Sequence, residues 1–225
     1  MATNLSKKLK PKSKKFKNKK ILITAGPTWV PIDAVRVISN IATGKTGVLL
    51  ADKLSRLGAK VTLLLGPVES CCLNKNIRLI RFKFFEELKN KLEKELKSKK
   101  YDILIHSAAV SDFRPVVTYS GKINSQEKNF LLKLKATPKL IGLFKKRMHS
   151  LFVIAFKFEP KAKIESLIRE AKMLQNKYSC DLVVANTIFG NRYLAYIVGK
   201  SHFVGPLGKK EHLVQGLIKT IKNII

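Results

Sequence analysis

The stretch "SNIATGKTG", residues 39–47, sets an amide, hydroxyls and glycines between an apolar run, "ILIT" (21–24), and a helix-like segment, "VLLADKLSRLG" (48–58). Unpaired N–H groups and the positive end of the dipole at a helix start favour a phosphate. The spacing is that of neither a Walker loop nor a dinucleotide fingerprint. Gly44 and Gly47 allow close backbone approach to an anion, and the same glycines would also serve a bare strand-to-helix junction. Arg36 and Asn40 lie four apart. Arg36 offers a planar cationic fork for a carboxylate or phosphate. Asn40 offers an uncharged donor that can stabilise an oxyanion, or a plain helix cap or turn.

The elements that must position these groups alternate along the chain. Strands are expected over 21–26, 60–67, 77–82, 101–109, 130–137, 151–158 and 180–186, and a hairpin around Gly199 over 193–206. Helices are expected over 44–57, 85–99, from Pro138 onward, 161–177 and 209–225. Residues 110–129 read as a loop. This alternation calls for an α/β, Rossmann-like, mostly parallel sheet with helices on both faces. Ligands then bind at the carboxyl ends of the strands. Those ends carry Gly26-Pro27, Ser107-Ala108-Ala109, Phe156 and Asn186, which are expected around one cleft.

Composition sets the outer bounds. The 225 residues suit one domain, and 45% apolar content can fill a core. No run approaches a membrane span, and residues 1–20 lack an apolar signal region, so a cytoplasmic protein is expected. Cys71, Cys72 and Cys180 are too few for a disulfide framework or a zinc knuckle and read as reduced thiols. The formal net charge is +30, and residues 1–20 hold nine lysines and no acid. We read residues 1–20 as a basic disordered tail and 21–225 as the folded domain. Any nucleic-acid contact is expected through that tail alone.

The segment "ITAGPTWVPIDAVRVISNIATGKTG" (23–47) closely resembles the opening motif of the phosphopantothenoylcysteine synthetase family. This is the phosphopantothenate–cysteine ligase, in many bacteria the C-terminal half of a bifunctional coenzyme A biosynthesis flavoprotein. "HSAAVSDFRP" (106–115), "KATPKLIG" (135–142), "VIAFKFE" (153–159) and "DLVVANT" (181–187) resemble further family motifs in the same order. Departures fall at Trp29, Val30, Ala42, Thr43, Thr46 and at Lys139, where the family has Asp.

The resemblance implies that 4'-phosphopantothenate is activated by a nucleotide, CTP favoured over ATP, with Mg²⁺, and then joined to L-cysteine. It gives Asn40 and Lys122 catalytic roles, Asn40 at the acyl-nucleotidyl intermediate and Lys122 on a loop covering the site. Arg36, Gly44, Gly47, Ala108 and Ala109 would meet phosphopantothenate. Ser107, Asp112, Lys122, Thr137, Pro138, Lys139, Leu140 and Phe156 would meet the nucleotide. Two family lysines before "DLVVAN" fall at Leu174 and Tyr178, so Lys177 is the substitute nearest to hand, with Lys172 beside it. Asp112 would help hold the nucleotide, or metal through it, and no dedicated metal ligand is implied. On their own, Asp112 reads equally as a cap or salt-bridge partner and Phe156 as a core aromatic. The resemblance further implies a homodimer, built through the hairpin 193–204 or the strand 130–136, and a flavin-dependent decarboxylase on a separate polypeptide.

Three other readings compete. A nicotinamide-dependent reductase wants G-x-G-x-x-G after the first strand, where this chain has "TAGPTW" (24–29). A nucleic-acid-binding protein rests on charge alone. An inactive relative is suggested by Lys139 and by the two replaced lysines.

Overall fold

In the computed structural model, residues 16–69, 73–98, 100–126, 128–145 and 150–225 are described. Cys71, Cys72 and residues 1–15 of the expected tail lie outside them. The fold begins before the expected boundary. Phe16 is 2% exposed and packs in the core, and β1 (Lys20–Ala25) starts at Lys20. A buried aromatic pins those residues, which a count of lysines does not reveal.

Along the chain follow β2 (Trp29–Pro31), β3 (Val37–Ser39), α1 (Lys45–Arg56), β4 (Lys60–Leu65), β5 (Arg78–Arg81), α2 (Phe85–Ser98) and β6 (Ile103–His106). Then come β7 (Phe113–Pro115), β8 (Leu134–Ala136), α3 (Leu140–Lys145), β9 (Phe152–Phe158), α4 (Ile164–Tyr178), β10 (Leu182–Phe189), β11 (Arg192–Gly199), β12 (Phe203–Leu207) and α5 (Lys210–Ile224). The main sheet has eight strands in the order β12-β11-β10-β9-β6-β1-β4-β5. From β5 to β10 the strands run parallel, and β11 and β12 return antiparallel. The expected hairpin therefore extends this sheet.

Strand alternation splits the core in two. Ile21, Ile23, Ile103, Ile105, Ile154 and Val184 face α1 and α5. Leu22, Leu104, Val153, Val183 and Ala185 face α2, α3 and α4. Helices thus cover both faces of strands buried on both sides. Helix α1 buries Gly47, Leu50, Ala51 and Leu54, one stripe at helical spacing.

Two local expectations change. Residues 113–115, read as loop, pair with 134–136 in a separate two-stranded ribbon, so the strand expected over 130–137 never joins the main sheet. Pro138 stands before α3, which opens at Leu140.

Candidate active site

The chain runs β1, β4, β5 to one side and β6, β9, β10 to the other, so the sheet order reverses between β1 and β6. At such a switch point the outgoing loops diverge and leave a crevice at the carboxyl edge. Backbone bonds build its wall: the Ala109 amide donates to the Gly26 carbonyl at 2.9 Å, and the Ala109 carbonyl accepts the Thr28 amide at 3.2 Å. The same carbonyl accepts Asn40 Nδ2 at 3.1 Å. One amide hydrogen of Asn40 is thereby fixed on the crevice wall, and its exposed carboxamide keeps the second.

Helix α1 opens on the same crevice. Gly44 caps it in the left-handed region at φ 67°, and a Cβ there would sit 3.2 Å from the Gly26 nitrogen. A Cβ on Gly47 would sit 2.4 Å from Ala25 Cβ and 2.8 Å from Ser107 Oγ. The two glycines press the helix start onto the ends of β1 and β6. Gly44 supplies no side-chain cap and the first turn holds no acidic residue; the Lys45 amide donates to Thr43 Oγ1 at 3.4 Å, and the remaining free amides of the turn are suited to an anion. Lys45 is paired with Glu211 at 3.2 Å, away from that role.

The β2–β3 hairpin carries Arg36 and leads to Asn40. It is held by Asp33, whose side chain is buried. One Asp33 oxygen accepts the Val35 and Arg36 amides, and the other accepts the Ile123 amide and Arg36 Nη1 at 2.6 Å. Burial alone would raise the Asp33 pKa, but the three amides and the guanidinium outweigh it and bring the value down to about 2. Arg36 Nη1 also reaches the Ile123 carbonyl at 3.3 Å. Arg36 is therefore a partly committed fork. Its anchoring ties the hairpin to the loop that carries Lys122, whose side chain is exposed. The Ile32 carbonyl accepts the Tyr119 amide at 3.0 Å and strengthens that tie.

A second clasp joins the loops after β1 and β6. Ser111 donates its amide to Thr28 Oγ1 at 2.9 Å and its hydroxyl to the Thr28 carbonyl at 3.2 Å. Thr137 extends it, donating its amide to the Asp112 carbonyl at 2.8 Å and its hydroxyl to the Ser111 carbonyl. These bonds deliver Lys139 to Asp112, and the two form an exposed ion pair. Ser107 donates its hydroxyl to the Thr24 carbonyl at 2.7 Å, and Ala108 packs against the core beside it. His106, at the end of β6, shares a 2.9 Å bond with the Thr24 hydroxyl, and burial holds its pKa down at about 4.

Register places Phe156 next to Ser107, because His106 pairs with Ala155 one residue earlier. Phe156 packs half-buried on the face covered by α1. Further along that edge, the buried Asn186 Oδ1 has no hydrogen-bond partner among the described residues. Hollows of about 440 Å³ along α2 and about 280 Å³ around Lys19, Asp102 and Phe152 contain none of these groups.

Two expected contacts belong elsewhere. Leu140 is 2% exposed and serves the core under α3, so its side chain is not offered to a nucleotide. Lys177 lies in the last turn of α4, which leads into the start of β10. Within one chain that is the amino edge of the sheet, opposite Asn40 and Gly44. Leu174 and Tyr178 pack against the core, and Lys177 lies over the Tyr178 ring. Asp33, Ser111 and Lys157 stand at the carboxyl edge although no motif position singles them out for a role.

The family model described as "DNA/pantothenate metabolism flavoprotein C-terminal domain" matches residues 16–223. The chain is 39% identical over 225 residues to the coenzyme A biosynthesis bifunctional protein CoaBC of Thermococcus kodakarensis, covering 97% of this chain and 54% of that protein. It is 34% identical over 217 residues to the CoaBC of Methanocaldococcus jannaschii, covering 94% and 52%. The chain thus spans about half the length of the curated relatives it matches. A solved structure, the DNA/pantothenate metabolism flavoprotein from Streptococcus pneumoniae, superposes with a TM-score of 0.82 at 27% identity, covering 92% of this chain and 100% of that one. With a match that runs from Phe16 through α5, this chain belongs to the DNA/pantothenate metabolism flavoprotein C-terminal domain family.

Proposed function

We propose that this chain is a phosphopantothenate–cysteine ligase, making phosphopantothenoylcysteine for coenzyme A synthesis. The observation that carries the reading is the seating of Asn40 on the Ala109 carbonyl, at the switch point and beside the glycine-opened start of α1. An uncharged donor, an anion cradle and a nucleotide edge then share one crevice.

The chemistry needs that combination. A carboxylate is a poor acyl donor, since its leaving group would be oxide. Attack of one carboxylate oxygen on the α-phosphate of a nucleoside triphosphate expels pyrophosphate and makes a mixed anhydride. The cysteine amine then attacks the acyl carbon, and nucleoside monophosphate leaves with that oxygen. In this reading the α1 start and Gly44 hold the phosphopantothenate phosphate, helped by Arg36. The second amide hydrogen of Asn40 meets the acyl oxygen as it gains charge. Ala108 and Ala109 leave room along the wall. Lys122, on the loop fastened by Asp33, covers the phosphates. Asp112, Lys139 and Phe156 face the nucleotide, with CTP favoured over ATP. Most of the acceleration comes from positioning and charge neutralisation.

A divalent ion resident on the protein does not fit this donor set. Asp112 is taken by Lys139, and among the described residues no three His, Cys, Asp or Glu side chains gather to hold one. Mg²⁺ enters the reading only as the nucleotide's own counter-ion, and no step is routed through it. The reading includes a homodimer. The ribbon of β7 and β8 exposes Phe113 and Leu134, and the segments flanking it expose Val117, Phe130 and Leu131, an apolar surface suited to a second copy.

Purified chain given phosphopantothenate and either CTP or ATP should release pyrophosphate, and should turn over steadily only once cysteine is added. No release with either nucleotide defeats the proposal. Sedimentation at micromolar concentration should find a dimer, and a monomer would remove that part of it.

A further inference from the structure

We infer that the amino edge of the main sheet is a docking surface for duplex nucleic acid, where Lys17, Lys19, Lys20, Lys60 and Lys100 meet the phosphodiester backbone. This edge lies at the opposite end of the strands from the crevice of Asn40 and does not depend on what that crevice catalyses.

Backbone bonds gather the five lysines. The Lys60 amide donates to the Lys19 carbonyl at 2.8 Å, and Lys20 stands opposite Lys60 in the register of β1 and β4. The Asp102 amide donates to the Lys20 carbonyl at 2.9 Å, which brings in Lys100 just ahead of β6. Lys19 and Lys100 line the same hollow of about 280 Å³. Lys17 lies against Gly58, where a Cβ would sit 3.5 Å from Lys17 Cα. Lys17, Lys20, Lys60 and Lys100 are exposed, and Lys19 is partly so.

The fold gives these charges no other occupation. Cations at the helix ends do have one: Arg56 pairs with Asp52 and Lys97 with Glu93, and both answer the negative end of a helix dipole. None of the five lysines belongs to a helix, and among the described residues none is paired with a carboxylate. Asp102, the acid in their midst, gives Oδ2 to the Lys20 amide at 2.7 Å. Lys20 beside Lys60 sets like charges on neighbouring strands, which costs stability unless an anion lies over them.

Density and shape select the anion. Strands β4, β1 and β6 are adjacent, so the row spans about 10 Å. Over that length a duplex presents about six phosphate charges. Lysines meet phosphates as compact point charges and read no base. The aromatic side chains of this edge, Phe16 and Tyr101, are buried, so no ring is offered to an unstacked base or to a lipid surface. The residues before Phe16 add six lysines and no acid to the sequence on that side of Lys17.

The test is fluorescence anisotropy of labelled RNA and DNA duplexes of about 20 base pairs, titrated with the full chain from about 50 to 200 mM salt. The triple variant Lys19→Gln, Lys60→Gln, Lys100→Gln should flatten the slope of log affinity against log salt by about 2.7 and weaken binding at least about tenfold at low salt. Its melting midpoint should equal or exceed the parent's, because like charges are removed. RNA and DNA should bind within about threefold of each other, since lysines on phosphate read neither base nor 2′-hydroxyl. Lys83→Gln, Lys163→Gln, Lys209→Gln removes the same charge from the carboxyl edge and should keep the parent's slope. Equal losses in the two triples mean that net charge alone binds, and they overturn the inference. An unchanged slope in the amino-edge triple leaves binding to residues 1–15 and also overturns it. So does tighter binding, at matched salt, to single strands or to phosphatidylserine vesicles. Should the amino-edge triple fail to fold, Lys60→Gln alone should flatten the slope by about 0.9, and no change there decides against the surface.

Discussion

Two buried carboxylates in this molecule have opposite company. Asp33, at the carboxyl edge, is held by three backbone amides and Arg36, and every one of those bonds fixes the course of a loop. Glu95, on α2, is held by side chains, Arg78 at 2.6 Å and the Tyr101 hydroxyl, which also reaches Thr62 of β4 at 3.0 Å. Glu95 fastens α2 to the sheet beside the start of β5, away from the carboxyl edge where the proposed site groups stand. Asp33 uses its bonds to arrange the hairpin and the Lys122 loop. A buried charge can thus serve the fold or serve a site, and its partners tell which. Changes around Asp33 should alter turnover more than melting, and changes around Glu95 should do the reverse.

The largest effect expected on the site side is from Asn40→Ala, which should lower kcat at least about 100-fold with an unchanged melting midpoint. Steady-state pyrophosphate release beside thermal denaturation reads both. On the fold side, Glu95→Gln strips a buried, hydrogen-bonded charge from its partners and should cost about 3 kcal/mol in denaturant unfolding, with KM values unmoved. Gly47→Ala tests where the two sides meet. Its Cβ must displace α1 from Ala25 and Ser107, so it should cost about 1–3 kcal/mol and also weaken phosphopantothenate binding. Asp33→Asn should lower kcat/KM about tenfold with a smaller melting shift than Glu95→Gln, since it unfastens loops and leaves the core filled.

The smallest effect is a matter of acid. Asp33 titrates near 2 in the fold against an ordinary 3.8, so its clamp is complete above pH 3.8 and lost as pH falls through about 2. Trp29, the single tryptophan, stands on the same hairpin against Phe84. The parent's Trp29 emission should change across that window, and the change should be absent from Asp33→Asn. Identical titrations would separate Asp33 from the hairpin's stability.

Much of this is legible in the chain. Alternating apolar runs and amphipathic stretches point to the parallel sheet, and "SNIATGKTG" marks the helix start, because those signals are local. The clamps are not legible. Thr28 meets Ser111 across 83 residues and Asp33 meets Ile123 across 90, and nothing local in a polar loop announces such a pairing. Lys177 falls away from the crevice for a related reason. Counting along a helix gives its residues but not the edge of the sheet where it ends, and a crossover helix ends opposite the site. Leu140 turns inward because a motif position says nothing of which side chain the core takes.

Everything proposed for the crevice of Asn40 depends on a carboxylate becoming a nucleotidyl anhydride there. Phosphopantothenate carrying heavy oxygen in its carboxylate follows that step atom by atom, with the products read by mass spectrometry after a single turnover with cysteine and CTP or ATP. One labelled oxygen should appear in the nucleoside monophosphate and none in pyrophosphate. Label in inorganic phosphate, or an unlabelled monophosphate beside labelled water, would contradict the anhydride.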